Sequence, residues 1–195
     1  MEIRFSYVGL IFLVMLIIPN IIWSKNLPKD YDKYSKNENK LLLVFEKTGE
    51  VLVTCSALIF TNFNPNQLSM SPIILLFIFI LMILYEVYWI KYFKSNKTMK
   101  DLSSSLLGIP VAGATLPALS FFLLSVYGNN ILLMIAAIIF RIGHIGIHLN
   151  HYKELSSEIV NLKLIILKII ATLITILGLS HIGIFIYLLF IESLN

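Results

Sequence analysis

Charge, cysteine and arginine are all scarce in this 195-residue chain, and each scarcity excludes something. Only 13% of residues are charged, against about a quarter in ordinary soluble domains, so a solvated globular surface is excluded. Cys55 is the single cysteine, which rules out a disulfide framework and a thiolate metal cluster. Arginine occurs twice, at Arg4 and Arg141, and the other basic residues are lysines. No Gly-x-Ser-x-Gly elbow is present, and Ser103, Ser104 and Ser105 read as polar residues at a helix start. No loop is long enough to form a domain, and no internal repeat is visible.

What the chain has instead is apolar length. Hydrophobic residues make up 58% and mean hydropathy is +0.87, concentrated in blocks of the size transmembrane helices require. The expected fold is all-α, an integral membrane bundle of six transmembrane helices in one domain. The spans fall at about 5–23, 41–60, 73–90, 102–127, 131–149 and 164–191. The first lacks a small-x-small cleavage site and reads as a retained span rather than a signal peptide.

Lysine placement orients the bundle. The loops at 24–40, 91–101 and 150–163 carry Lys25, Lys29, Lys33, Lys36, Lys40, Lys91, Lys94, Lys97, Lys100, Lys153 and Lys163. The loops at 61–72 and 128–130 carry no Lys or Arg. The positive-inside rule then puts the lysine-rich loops in the cytoplasm and both termini outside. The pI near 9.1 therefore reflects orientation, and no nucleic-acid partner is expected.

Two spans are interrupted by charge, and ionisable residues within a membrane usually mark a pathway, a site or a buried pair. Counting ~1.5 Å of rise per residue from the cytoplasmic edge puts Glu50 and Arg141 near the midplane. His144 lies one turn shallower. Glu46, Lys47, Glu86, His148, Asn20 and Lys168 lie within two turns of the edge. Arg141, His144, His148 and His151 share one helix face, and Glu46 and Glu50 form an i, i+4 pair. Gly143 and Gly146 would admit a neighbouring helix closely, so the second and fifth spans are expected to face each other.

The candidate ligand-binding or proton-pathway residues are thus Glu46, Glu50, Glu86, Arg141, His144 and His148. A Glu50–Arg141 pair would be either a buried clasp or part of an anion or headgroup site. His144 and His148, at i, i+4, could hold a divalent metal with a nearby carboxylate. His151 reads as a headgroup-level histidine. Haem is not expected, because His181 falls near the outer face and cannot lie opposite His144 or His148. Pro110 and Pro117 should break or kink the fourth span, with Pro19-Asn20 a second break in the first. Tyr85, Tyr88, Trp89 and Tyr92 beside Lys91 and Lys94 read as an aromatic belt.

The segments Ile18-Pro19-Asn20-Ile21-Ile22-Trp23, Phe45-Glu46-Lys47-Thr48-Gly49-Glu50 and Gly108-Ile109-Pro110-Val111-Ala112-Gly113-Ala114-Thr115-Leu116-Pro117 resemble those of uncharacterised multi-pass membrane proteins of low-GC Gram-positive bacteria. That resemblance implies a multi-pass cell-membrane location and brings no activity with it. Three functions follow from the residues: a transporter or small-ligand-binding membrane subunit, an intramembrane metal-dependent enzyme acting on a lipid-derived substrate, or a structural membrane protein. The bilayer is the expected partner, and a homo-oligomer is compatible with the sequence.

Overall fold

Why the apolar blocks fold as they do is visible in the first helix. The computed structural model describes residues 3–65 and 72–160. In α1 (Tyr7–Ser24), Ser6 caps the N-terminus by accepting from Gly9 N at 3.0 Å. Val8, Phe12, Leu13, Leu16 and Pro19 turn inward at helical spacing, while Leu10, Ile11, Val14, Ile17, Ile18 and Ile21 face out. A helix apolar on both faces suits lipid on one side and protein on the other.

The remaining elements are α2 (Tyr31–Ser35), α3 (Lys40–Ile59), a 3₁₀ turn (Thr61–Phe63), α4 (Pro72–Phe93), α5 (Met99–Leu102), α6 (Ala112–Tyr127) and α7 (Ile131–Val160). No strand occurs among the described residues, only the isolated bridges Ile3–Phe60 and Leu106–Ile109. The chain divides into two compact units, 1–154 and 155–195. Of the second, only residues 155–160, the last turns of α7, are described.

Three helices, α1, α4 and α7, are long and apolar enough to cross a membrane, and they mark the chain as a membrane protein. The expected second span exists as the 20-residue α3, ~30 Å long, with Glu46, Lys47 and Glu50 interrupting its apolar run. The expected sixth span, 164–191, lies outside the described residues.

The fourth span needs correcting. Its helix starts at Ala112, not near 102, and its 16 residues measure ~24 Å. Residues 103–111 instead form an irregular turn, closed by Leu106 N to Ile109 O at 3.2 Å and Ile109 N to Leu106 O at 2.9 Å. Leu107, Gly108 and Val111 adopt positive φ, and Pro110 has no N–H for a helix to use. Pro117 sits inside α6, as Pro19 does inside α1, and neither helix is terminated there.

The aromatic cluster of α4 is not an interfacial belt. Tyr85, Tyr88, Trp89 and Tyr92 are buried along one face, and their hydroxyls find bundle partners. Tyr92 donates to Asn26 O at 3.0 Å, and Tyr88 donates to Leu102 O. Tyr85 donates to Leu16 O at 3.4 Å and accepts from Asn20 Nδ2 at 3.1 Å. Their i, i+3 and i+4 spacing puts all four rings on the face that packs inward, and backbone carbonyls there satisfy the phenols.

Backbones touch where glycine allows it. A Cβ on Gly9 would stand 1.8 Å from Ala57 O, so α1 and α3 cross in near contact. On α3 and α7, Gly49 abuts the Phe140 backbone and Gly143 abuts Glu46, where a Cβ would fall 2.4 and 2.1 Å away. The second and fifth expected spans do face each other.

Candidate functional site

The α3–α7 crossing decides which polar side chains meet. With Gly143 pressed on the Glu46 backbone, His144 follows it into the same crevice, and its Nδ1 lies 2.6 Å from Glu46 Oε1. A carboxylate can only accept, so Nδ1–H donates. Both side chains are mostly buried, His144 at 15% and Glu46 at 18% exposure.

From this pair a column of rings runs down α7. Phe140 stacks on His144 at 4.8 Å between centroids, His144 meets His148 edge-on at 4.9 Å, and His148 meets His151 at 6.3 Å. His151 in turn packs on Tyr34 at 6.3 Å. His151 is 4% exposed, yet neither ring nitrogen has a hydrogen-bond partner among the described residues. Its Nε2 lies 3.3 Å from Glu38 Oε1, within ion-pair reach but outside hydrogen-bonding geometry.

This column forms one wall of a cavity of about 480 Å³ inside the first unit. Asn20 and Trp23 line it from α1, Glu46, Lys47, Glu50 and Thr54 from α3, and Tyr88 and Trp89 from α4. Tyr31 and Glu38 close the end near the lysine-rich loop. Along α7 it extends from Phe140 to His151, ~16 Å of helix. Its size is that of an ordinary small-molecule site.

Charge in the cavity is predominantly negative. Glu38, Glu46 and Glu50 face Lys47 alone, and Lys47 Nζ is already paired with Glu50 Oε2 at 3.0 Å. At the loop end, burial raises the Glu38 carboxyl above its ordinary range, and the charge of Glu46 adds to the effect. Burial likewise pushes the Tyr31 phenol up to about 12, with Glu38 and Glu46 contributing.

Several expectations are thereby corrected. Glu50 does not pair with Arg141. It is 50% exposed at the cavity rim and takes Lys47 as its partner. The reason is angular: Gly49 faces α7, which turns Glu50 away by about 100°. Arg141 is exposed and does not line the cavity, and its side chain makes no ion pair or hydrogen bond among the described residues. Glu86 is half-buried on α4 and also lies outside the cavity. Among the described residues no three His, Cys, Asp or Glu side chains are grouped so as to hold a metal ion. Glu46, the carboxylate nearest the histidines, is occupied by His144, so a metal on His144 and His148 finds no third ligand there.

Of the candidate residues, the structure brings Glu46, His144 and His148 together. Glu38, Tyr31, Trp23 and His151 were not anticipated as a group. Their signal was available: His151 continues the i, i+3, i+4 stripe begun by His144 and His148. The loop contribution, by contrast, depends on how 24–40 folds. Comparisons with protein families, curated proteins and solved structures find no match to this chain.

Proposed function

We propose that this protein is a multi-pass cell-membrane protein that holds a small ligand in a cavity opening toward the cytoplasm, acting as a transporter or as a ligand-binding membrane subunit. Six spans with both termini outside complete this reading. The observation that carries it is the ~480 Å³ cavity walled by the His144–His148–His151 column, because His151 is buried there with both nitrogens unmatched. Buried polar atoms are normally satisfied, so an imidazole of this kind inside a cavity suits a site completed by a bound molecule.

Support for the cytoplasmic opening comes from the loops. The lysine-rich segments 24–40 and 91–101 are joined: Lys97 Nζ donates to Asn26 Oδ1 at 2.6 Å, Met99 N to Asp30 Oδ1 at 2.8 Å, and Lys29 N to Lys97 O at 2.9 Å. They therefore lie on one side, and Tyr31 and Glu38 bring the cavity to it.

Native mass spectrometry of the full chain, released from detergent, tests the proposal. A small molecule should accompany the wild type and be lost in Leu43→Trp, which narrows the cavity from α3. A wild-type protein that carries nothing, and whose melting temperature no added small molecule shifts, overturns it.

A further inference from the structure

We infer that the cavity takes an amphiphilic organic cation, a protonated amine on an apolar or aromatic body. This rests on the cavity being a ligand site and adds the class of ligand. Three independent features converge on it.

First, the carboxylates outnumber their cations. Glu50 is ion-paired with Lys47, whose charge also acts on Glu46 through space, but neither Glu38 nor Glu46 makes an ion pair with a Lys or Arg among the described residues; their closest contacts are His151, Tyr31 and His144. An ammonium group entering between them would supply the missing charge and several N–H donors. Secondly, His151 sits beside Glu38 with both nitrogens unmatched and only 4% exposure. An imidazole lone pair accepts from an ammonium N–H, and the neighbouring carboxylate strengthens that acceptor site. Thirdly, the lining is aromatic where a cation benefits. Trp23 and Tyr31 stand edge-to-face at 5.6 Å between centroids, and Trp89 also lines the cavity. Indole and phenol faces attract ammonium groups, most strongly where water is thin. Leu16, Ile17 and Ile147 complete the wall for an apolar body.

The competing ligand classes fit less well. An anion would meet Glu38, Glu46 and Glu50, with Lys47 already engaged and Arg141 outside the cavity. A neutral apolar molecule would leave Glu38 and His151 as they are.

Three probes of one shape distinguish these cases: tryptamine, the neutral 3-ethylindole and the anionic indole-3-propionate. Each is titrated calorimetrically into the full chain in lipid nanodiscs. Tryptamine should bind, 3-ethylindole at least roughly tenfold more weakly, and indole-3-propionate not measurably. Glu46→Gln should weaken tryptamine by roughly tenfold while leaving 3-ethylindole unchanged. Glu86→Gln, outside the cavity, should change neither. Glu38→Gln serves as the second variant, since Glu38 lies in a loop and its replacement does not touch the helix crossing. Indole-3-propionate binding as tightly as tryptamine, or tryptamine binding equally to wild type, Glu38→Gln and Glu46→Gln, overturns the cation assignment. So does a wild type that binds none of the three. The cavity reading itself is judged separately, by the molecule that travels with the wild type and is lost in Leu43→Trp.

Discussion

Glu38 is a carboxylate kept where ionisation is costly. Its side chain is 12% exposed, and burial together with the Glu46 charge raises its carboxyl. A raised folded value means that the group's contribution to stability is fully present below the unfolded value. That contribution is lost as pH rises through the folded one. Glu38→Gln removes this loss. Thermal unfolding of the variant should match wild type below about pH 4 and give a higher melting temperature at neutral pH. A residue retained at a cost in stability is what a binding role predicts. Asp101 shows the opposite balance: burial would raise it, but hydrogen bonds from the Thr98 backbone and hydroxyl outweigh this and hold it low. At this scale the sequence was informative about chemistry and misleading about partners. Depth along a helix is countable from the loop edge, so both Glu46 and His144 were placed on the cytoplasmic side of the bundle, His144 in the deeper layer with Glu50 and Arg141. Azimuth is set by the crossing point, and a one-residue change in which side chain faces the neighbour sent Glu50 to Lys47 and Arg141 outward.

Between α3 and α7, the distance is fixed by Gly49 and Gly143. A methyl group on Gly143 would meet the Glu46 backbone at 2.1 Å, and backbone cannot rotate aside. Gly143→Ala should therefore cost about 1–3 kcal/mol, as overpacking does, and should lengthen the Glu46–His144 hydrogen bond. Chemical denaturation reads the first effect and the histidine NMR resonances the second. The start of α6 illustrates the limit of reading helices from apolar runs. Leu102–Ile109 is hydrophobic enough to continue a span, but Pro110 and the positive φ at Leu107, Gly108 and Val111 commit it to a turn. Gly108 and Pro110 were visible as helix breakers, whereas the left-handed Leu107 and Val111 depend on the closure of that turn.

Across the whole molecule, the lysine pattern predicts sidedness that cysteine labelling can check. Cys55 is the only native cysteine and is exposed, so Cys55→Ser gives a clean background. In that background, Lys33→Cys should react with an impermeant maleimide only after the cells are opened. Asn129→Cys, at the exposed position of the otherwise buried turn before α7, should react in intact cells. The reverse pattern would turn the cavity to the outside. The long apolar helices α1, α4 and α7 were legible because membrane spans need only length and hydropathy. The cavity was not, because residues far apart in the chain line it together: Tyr31 and Glu38 of the 24–40 loop, the long helices α1, α3, α4 and α7, and Leu102 and Gly113.

The glycine crossings also bear on how this protein can change. Where α1 meets α3 and α3 meets α7, no larger residue fits without moving backbone, so those positions admit almost no variation. The cavity wall, by contrast, is made mostly of side chains, Gly113 excepted. Diversification toward a different ligand, in nature or in a directed-evolution library, is therefore channelled onto Trp23, Tyr31, Glu38 and the α7 histidines, while the helix framework that carries them stays constant.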